Sequence, residues 1–341
     1  MGVARHRAGV GAPVSARHRR PDAKVRTADA PAPPREGQTF TGEGWLARWA
    51  SFVKLPHTVF ALPFALVGVV LASRLRVPTV GEVGWVILAF TAARFAAMAF
   101  NRLVDRDIDA INPRTRGREL PRGALSAAGV RTSIVVSGAL FVLASWMLNP
   151  LCGWLSPVAL GWVLAYSYCK RFTRFSHLVL GLGLGIAPVG GYLAVTGQWS
   201  EPWWMLPVLA SAVMTWSGGF DILYALQDAE FDRANGLHSL PASLGVPRAL
   251  LVARVLHVGT VLLLALVGWA TGGGVLFAAG IAVVALLLVY EHALVKPDDL
   301  SKLDAAFFTM NGVISLAFFA FVLAERLLGL RSIAELLAVV P

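Results

Sequence analysis

Two sets of oxygen-bearing side chains recur at helical spacing in this chain. Asn101, Asp105 and Asp109 stand at i, i+4 and i+8, and Asp221, Tyr224, Asp228 and Asp232 repeat the pattern farther along. A helix advances about 100° per residue, so every fourth residue returns to within about 40° of the same direction, about 6 Å along the axis. Each set should therefore climb one helix face. Facing carboxylates repel one another unless a cation lies between them. Mg²⁺ suits such a site because it prefers hard oxygen ligands and is commonly shared between a few carboxylates and substrate phosphates. A neutral Asn adds a ligand without adding charge. Arg102, Arg114, Arg116 and Arg118 lie close in sequence to the first set and, with Lys170 and Arg171, would take up phosphate oxygens left uncovered. The chemistry is that of a diphosphate clamp. With 7 histidines and 2 cysteines the chain is poor in zinc ligands, and no Ser–His or Cys–His arrangement suggests a nucleophile. Extending the first stripe backward passes Met98 and reaches Arg94, a charge inside an apolar run that is costly unless it lines a polar cavity. Asp107 and Glu230 point away from the stripes and should be solvated.

The elements that must position these residues are membrane helices. The 341 residues are 56% hydrophobic and 15% charged, where soluble domains carry about 25% charged residues. Nine segments reach the length needed to cross a bilayer, near 55–73, 82–104, 131–148, 151–169, 177–197, 203–226, 249–270, 274–292 and 305–325. "WLARWASFVKLPH" ahead of the first reads as an interfacial helix with Trp45 and Trp49 at headgroup depth, and Trp203 and Trp204 as an outer aromatic belt. Residues 1–43 form a basic tail without apolar periodicity, expected to be disordered. Residues 44–330 form the transmembrane domain and 331–341 a C-terminal tail. With the N-terminus inside, 25 of the 30 Lys and Arg fall on the inner side and 4 on the outer, which fixes the orientation. The net charge of +10 is then a topology signal, and nucleic-acid binding is not needed to explain it. Both acidic sets close even-numbered spans, and so lie at the inner, cytoplasmic side. Asp105 to Asp228 and Asp109 to Asp232 are each 123 residues apart, and "ELP" and "SLP" follow the two sets, a weak internal repeat. Gly181 and Gly185 would let the fifth span pack closely. His177 reads as a helix-start residue.

These residues resemble the motifs of the UbiA superfamily of intramembrane prenyltransferases. The N-x-x-x-D-x-x-x-D motif is matched by Asn101, Asp105 and Asp109, with its upstream arginine at Arg94. R-T-x-x-R is matched by Arg114, Thr115 and Arg118, followed by Glu119 where a proline is usual. D-x-x-Y-x-x-x-D-x-x-x-D is matched by Asp221, Tyr224, Asp228 and Asp232. Y-P-x-x-K-R is matched by Tyr166, Lys170 and Arg171, with Ser167 replacing the proline. The resemblance implies an all-α, nine-helix bundle around a central cavity open sideways to lipid. It implies Mg²⁺-dependent transfer of a polyprenyl group from its diphosphate to an aromatic acid; no obligate protein partner is evident in the sequence. On this reading Asn101, Asp105, Asp109, Asp228 and Asp232 hold metal. Arg118, Lys170, Arg171, Arg102 and Arg114 hold diphosphate, while Asp221, Tyr224 and Arg94 serve the reaction. The full second motif is similar to 4-hydroxybenzoate polyprenyltransferases of ubiquinone synthesis. "VKLPHTVFALPFAL" looks like the subgroup of the futalosine route to menaquinone, whose acceptor is 1,4-dihydroxy-6-naphthoate. The rival from another class is a cation-coupled transporter, which predicts acids near mid-membrane on broken helices.

Overall fold

In a computed structural model of the chain, residues 44–296 and 309–329, with Gly2, Leu300 and Leu303, are described. The predicted tails, Gly2 apart, and the start of the ninth predicted span fall outside these residues. The elements are α-helices α1 (Trp45–Phe52), α2 (Leu55–Ala72), α3 (Val80–Val104), α4 (Arg106–Ile111), α5 (Ala127–Leu148), α6 (Pro150–Ala165) and α7 (Ser176–Thr196). There follow α8 (Met205–Ala225), α9 (Ala229–Ala234), α10 (Leu240–Leu244), α11 (Val246–Ala270), α12 (Val275–Leu294) and α13 (Asn311–Leu328). Short 3₁₀ turns occupy Tyr166–Arg171 and Leu226–Asp228. An all-helical architecture follows from the solvent, since every backbone N–H and C=O at membrane depth must find its partner within the segment.

Among the described residues, seven helical runs are long and apolar enough to cross a membrane: α3, α5, α7, Met205–Ala234, α11, α12 and α13. α2 and α6 stand where the first and fourth spans were predicted, and α6 has only 16 residues. Seven of the nine predicted spans thus meet both criteria among the described residues. α7 lies at the centre, packed against α8 on one side and α2 on another; α8 continues to α11, α12 and α13, and α13 returns to α2. α3 and α5 pair to form the remaining wall with α6. Close approach of α7 and α8 depends on Gly181 and Gly185, as predicted: a Cβ there would overlap the Met214 and Ala210 carbonyls of α8.

Local signals set the helix ends. Thr79 and Glu82 form a reciprocal capping box at the start of α3. Asn149 caps α6 and also donates its amide to the Leu193 carbonyl at the end of α7, 2.9 Å away. The predicted interfacial helix is α1, but of its two tryptophans only Trp45 is exposed; Trp49 stacks on Phe95 at 5.9 Å. Likewise Trp203 is exposed while Trp204 stacks on Trp269. An indole facing a neighbouring ring gains more by packing than by reaching outward.

Candidate active site

The two acidic sets do not lie on uninterrupted helices. α3 stops at Val104 and α4 begins at Arg106, leaving Asp105 at φ −91°, ψ 3°. In the second set α8 stops at Ala225, a 3₁₀ turn intervenes, and Asp228 adopts φ −100°, ψ 1° before α9. Both central aspartates occupy the sparsely populated bridge region, where active-site residues recur. In the first set the i to i−4 ladder survives the bend. Asp105 N donates to Asn101 O at 2.9 Å, and Asp109 N donates to Asp105 O. The helical phase therefore carries through, and the three side chains keep a common face.

Both faces open into one cavity of about 420 Å³. Arg94, Asn101, Arg102, Asp105, Asp109, Arg114, Arg118, Lys170, Asp221, Tyr224, Asp228 and Asp232 all line it, as does Tyr166. Most of the rest of the wall is apolar, with Phe90, Phe141, Leu155 and Trp216 among its residues. Arg171 is absent from the wall and acts from behind. It donates to Asp105 Oδ1 at 3.1 Å and to the Val104 and Ser167 carbonyls at 3.0 Å, bracing the backbone at the α3–α4 break. Asp107 and Glu230 are exposed, as their off-stripe phase requires.

Cations engage each acidic set. Arg118 donates to Asp109 Oδ1 at 2.7 Å. Arg114 holds both oxygens of Asp228 in a bidentate pair and donates to the Tyr224 hydroxyl at 3.0 Å. Asn101 Nδ2 donates to Asp105 Oδ2 at 3.0 Å. Burial pushes the Asp105 carboxyl above the usual carboxylate range, although Lys170 and Arg171 pull it down. For Lys170 burial alone would weaken the charge, but Asp232, Asp221, Asp228 and Asp105 outweigh it and hold the ammonium above the ordinary lysine range. This lysine is thus the electrostatic centre shared by both motifs.

Residues outside the predicted set also contribute. Lys54, the one non-glycine at positive φ among the described residues, reaches the Tyr224 hydroxyl at 3.4 Å and lies over its ring. Asn112 donates to Asp228 Oδ1 at 3.2 Å. His177 is fully buried against Asp221. Lys54 reads in sequence as a topology lysine and His177 as a helix start; only long-range packing reveals their partners.

The donor set suits a hard divalent cation. Asp109 Oδ2 and Asp232 Oδ2 are buried without a hydrogen-bond partner, acceptors that such an ion would satisfy. Among the described residues no three of His, Cys, Asp and Glu converge closely enough to clasp an ion unaided. Mg²⁺ is usually held by one or two carboxylates, with the remaining shell from water and substrate phosphate.

Comparison with known proteins agrees with this geometry. The profile of the UbiA prenyltransferase family matches residues 61–322, more than half of the chain. The chain belongs to the UbiA prenyltransferase family. It is 32% identical over 235 residues to a 4-hydroxybenzoate octaprenyltransferase of Aromatoleum aromaticum, covering 67% of this chain and 77% of that one. The apo structure of a UbiA homologue from Aeropyrum pernix K1 superposes with TM-score 0.72 at 32% identity, covering 79% of this chain and 98% of that chain. A UbiA homologue from Archaeoglobus fulgidus, solved bound to GPP and Mg²⁺, shares the fold with TM-score 0.62 at 19% identity, covering 81% and 98%. The UbiA-type bundle around a cavity, read from the motifs, is the observed fold.

Proposed function

We propose that this prenyltransferase moves a polyprenyl group from its diphosphate to an aromatic acid of quinone biosynthesis, 4-hydroxybenzoate or 1,4-dihydroxy-6-naphthoate. The reaction takes place at the cytoplasmic face of a bacterial inner membrane. One observation carries the reading: a single cavity joins an apolar wall to a polar end where both acid motifs and their cations converge. A polyprenyl tail needs only the apolar wall, and a diphosphate needs the polar end.

Asn101, Asp105, Asp109, Asp228 and Asp232 would hold Mg²⁺, which when bound supplies Lewis-acid neutralisation of charge on the departing diphosphate. Arg114, Arg118 and Lys170 present fixed positive charge where the leaving group develops its own, the place where preorganised electrostatics contribute most. Arg102 and Arg94 extend that charge along the wall. Arg171 acts indirectly, by holding Asp105 in its bridge conformation. Tyr224, gripped by Arg114 and Lys54, offers an oriented hydroxyl at the same end. Once the C1–O bond has broken, a ring carbon of the acceptor attacks the allylic cation. Asp221 stands in the wall to receive the proton that restores aromaticity.

The test is competition. Purified protein receives both acids, one polyprenyl diphosphate and Mg²⁺, and mass spectrometry identifies the product. A prenylated aromatic acid is expected, lost on chelation with EDTA and in Asp105→Ala and Asp228→Ala. Cation-driven transport by reconstituted protein, with no prenylated product from either acid, would sink the proposal.

A further inference from the structure

Asp221 is not alone at its position. His177, the second residue of α7, has no solvent exposure, and its Nδ1 lies 2.6 Å from Asp221 Oδ2. On the far side of the ring, Nε2 faces the backbone N–H of Leu240 at 3.4 Å. A backbone N–H can only donate, so Nε2 is the unprotonated nitrogen and Nδ1 carries the proton that Asp221 accepts. The Leu240 N–H is one of the unpaired donors at the start of α10, whose cap Ser239 already accepts from Ala242 N. The loop after the second acidic motif thus folds back and fixes the tautomer of a histidine one helix away. The Asp221 side chain has no other hydrogen-bond partner among the described residues. Its Oδ1 is the oxygen left for a ligand, and its side chain is in the cavity wall.

Resting on the function proposed above, we infer that His177 is a positioning residue: it keeps Asp221 aimed so that Oδ1 takes the proton released by the aromatic acceptor. The C1–O bond breaks with its electron pair leaving on the diphosphate. The acceptor ring uses a π pair to form the new C–C bond. The electrons of the ring C–H bond then restore aromaticity, and the proton passes to Asp221 and on to water. Asp221 also interacts electrostatically with the Lys170 ammonium and the Tyr166 phenol. A neutral imidazole donating through Nδ1 adds direction to the carboxylate without cancelling its charge, which a cation in the same place would do.

The discriminating experiment compares His177→Phe and His177→Asn with the parent protein, using an acceptor with hydrogen or deuterium on the ring. Asn presents an amide N–H close to where Nδ1–H stood. His177→Phe should lower kcat about 10²-fold, leave KM for the polyprenyl diphosphate unchanged, and reveal a deuterium isotope effect absent from the parent. His177→Asn should recover most of the rate and reduce that isotope effect. Equal loss in both variants without an isotope effect, or parental kcat in His177→Phe, overturns the inference. If His177→Phe does not fold, His177→Leu, which likewise lacks the N–H donor, takes its place against His177→Asn, with the same expected and overturning results. A parent protein that prenylates neither acid overturns the proposed function itself, and is distinguished by that result.

Discussion

Arg114 grips the second acidic set more fully than any other cation described. Its planar fork spans both oxygens of Asp228, and the same group reaches the Tyr224 hydroxyl and covers that ring at 5.2 Å. Asn112 completes the arrangement by holding Asp228 Oδ1 and accepting the Arg114 backbone N–H at 2.9 Å. A lysine at this position would keep the charge and lose the fork. Arg114→Lys should therefore reduce activity by about 10–100-fold, the usual effect of disturbing a group that orients a ligand. Steady-state rates against Mg²⁺ concentration check this, because a misoriented Asp228 should also raise the Mg²⁺ required. Unchanged rates and Mg²⁺ demand would show that Asp228 needs no bidentate partner.

At the level of elements, the bends at Asp105 and Asp228 turn two helix ends into a paired site. Each bend tilts the last turn of its motif, and α3 and α8 deliver the two turns to one cavity. The supporting wall is set by how closely α7 approaches α8, and there the absence of a Cβ decides. Gly185→Ala should lower the Tm of the detergent-purified protein, since the new methyl meets the Ala210 carbonyl; overpacking of this kind costs about 1–3 kcal/mol. Gly161→Ala in α6 is the matched control, with open space around its Cβ. It should leave Tm unchanged or raise it slightly, because alanine is the better helix former by about 1 kcal/mol. Equal Tm values for the two variants would refute the close-packing account.

For the whole molecule, the polar end of the cavity and the loop between α2 and α3 lie at opposite ends of α3. Asp107, with 85% of its side chain exposed, marks the first end, and Val77, 70% exposed, marks the second. The native thiols Cys152 and Cys169 are buried, so an introduced cysteine reports cleanly. If the charge bias sets orientation, an impermeant maleimide should label Asp107→Cys only in inverted membrane vesicles and Val77→Cys only in right-side-out ones. The reverse pattern would place the active site on the outer face.

The spacing of Asn101, Asp105 and Asp109, and of Asp221, Tyr224, Asp228 and Asp232, determined by itself which side chains come together in the cavity wall, because helical phase is a local property, and in the first set the hydrogen-bond ladder carries it through the bend. Apolar length likewise determined where the membrane helices run, since lipid leaves the backbone no other solution. The bends themselves were not legible, nor was the displacement of Arg171 from the cavity wall to the back of Asp105. Lys54 beside Tyr224, Asn112 on Asp228 and His177 behind Asp221 also came only from tertiary structure. Their partners are 170, 116 and 44 residues away in the chain, and no periodicity links positions that distant. Contacts of that kind exist only after helices from separate parts of the chain have packed, and packing depends on the shapes of all the faces at once.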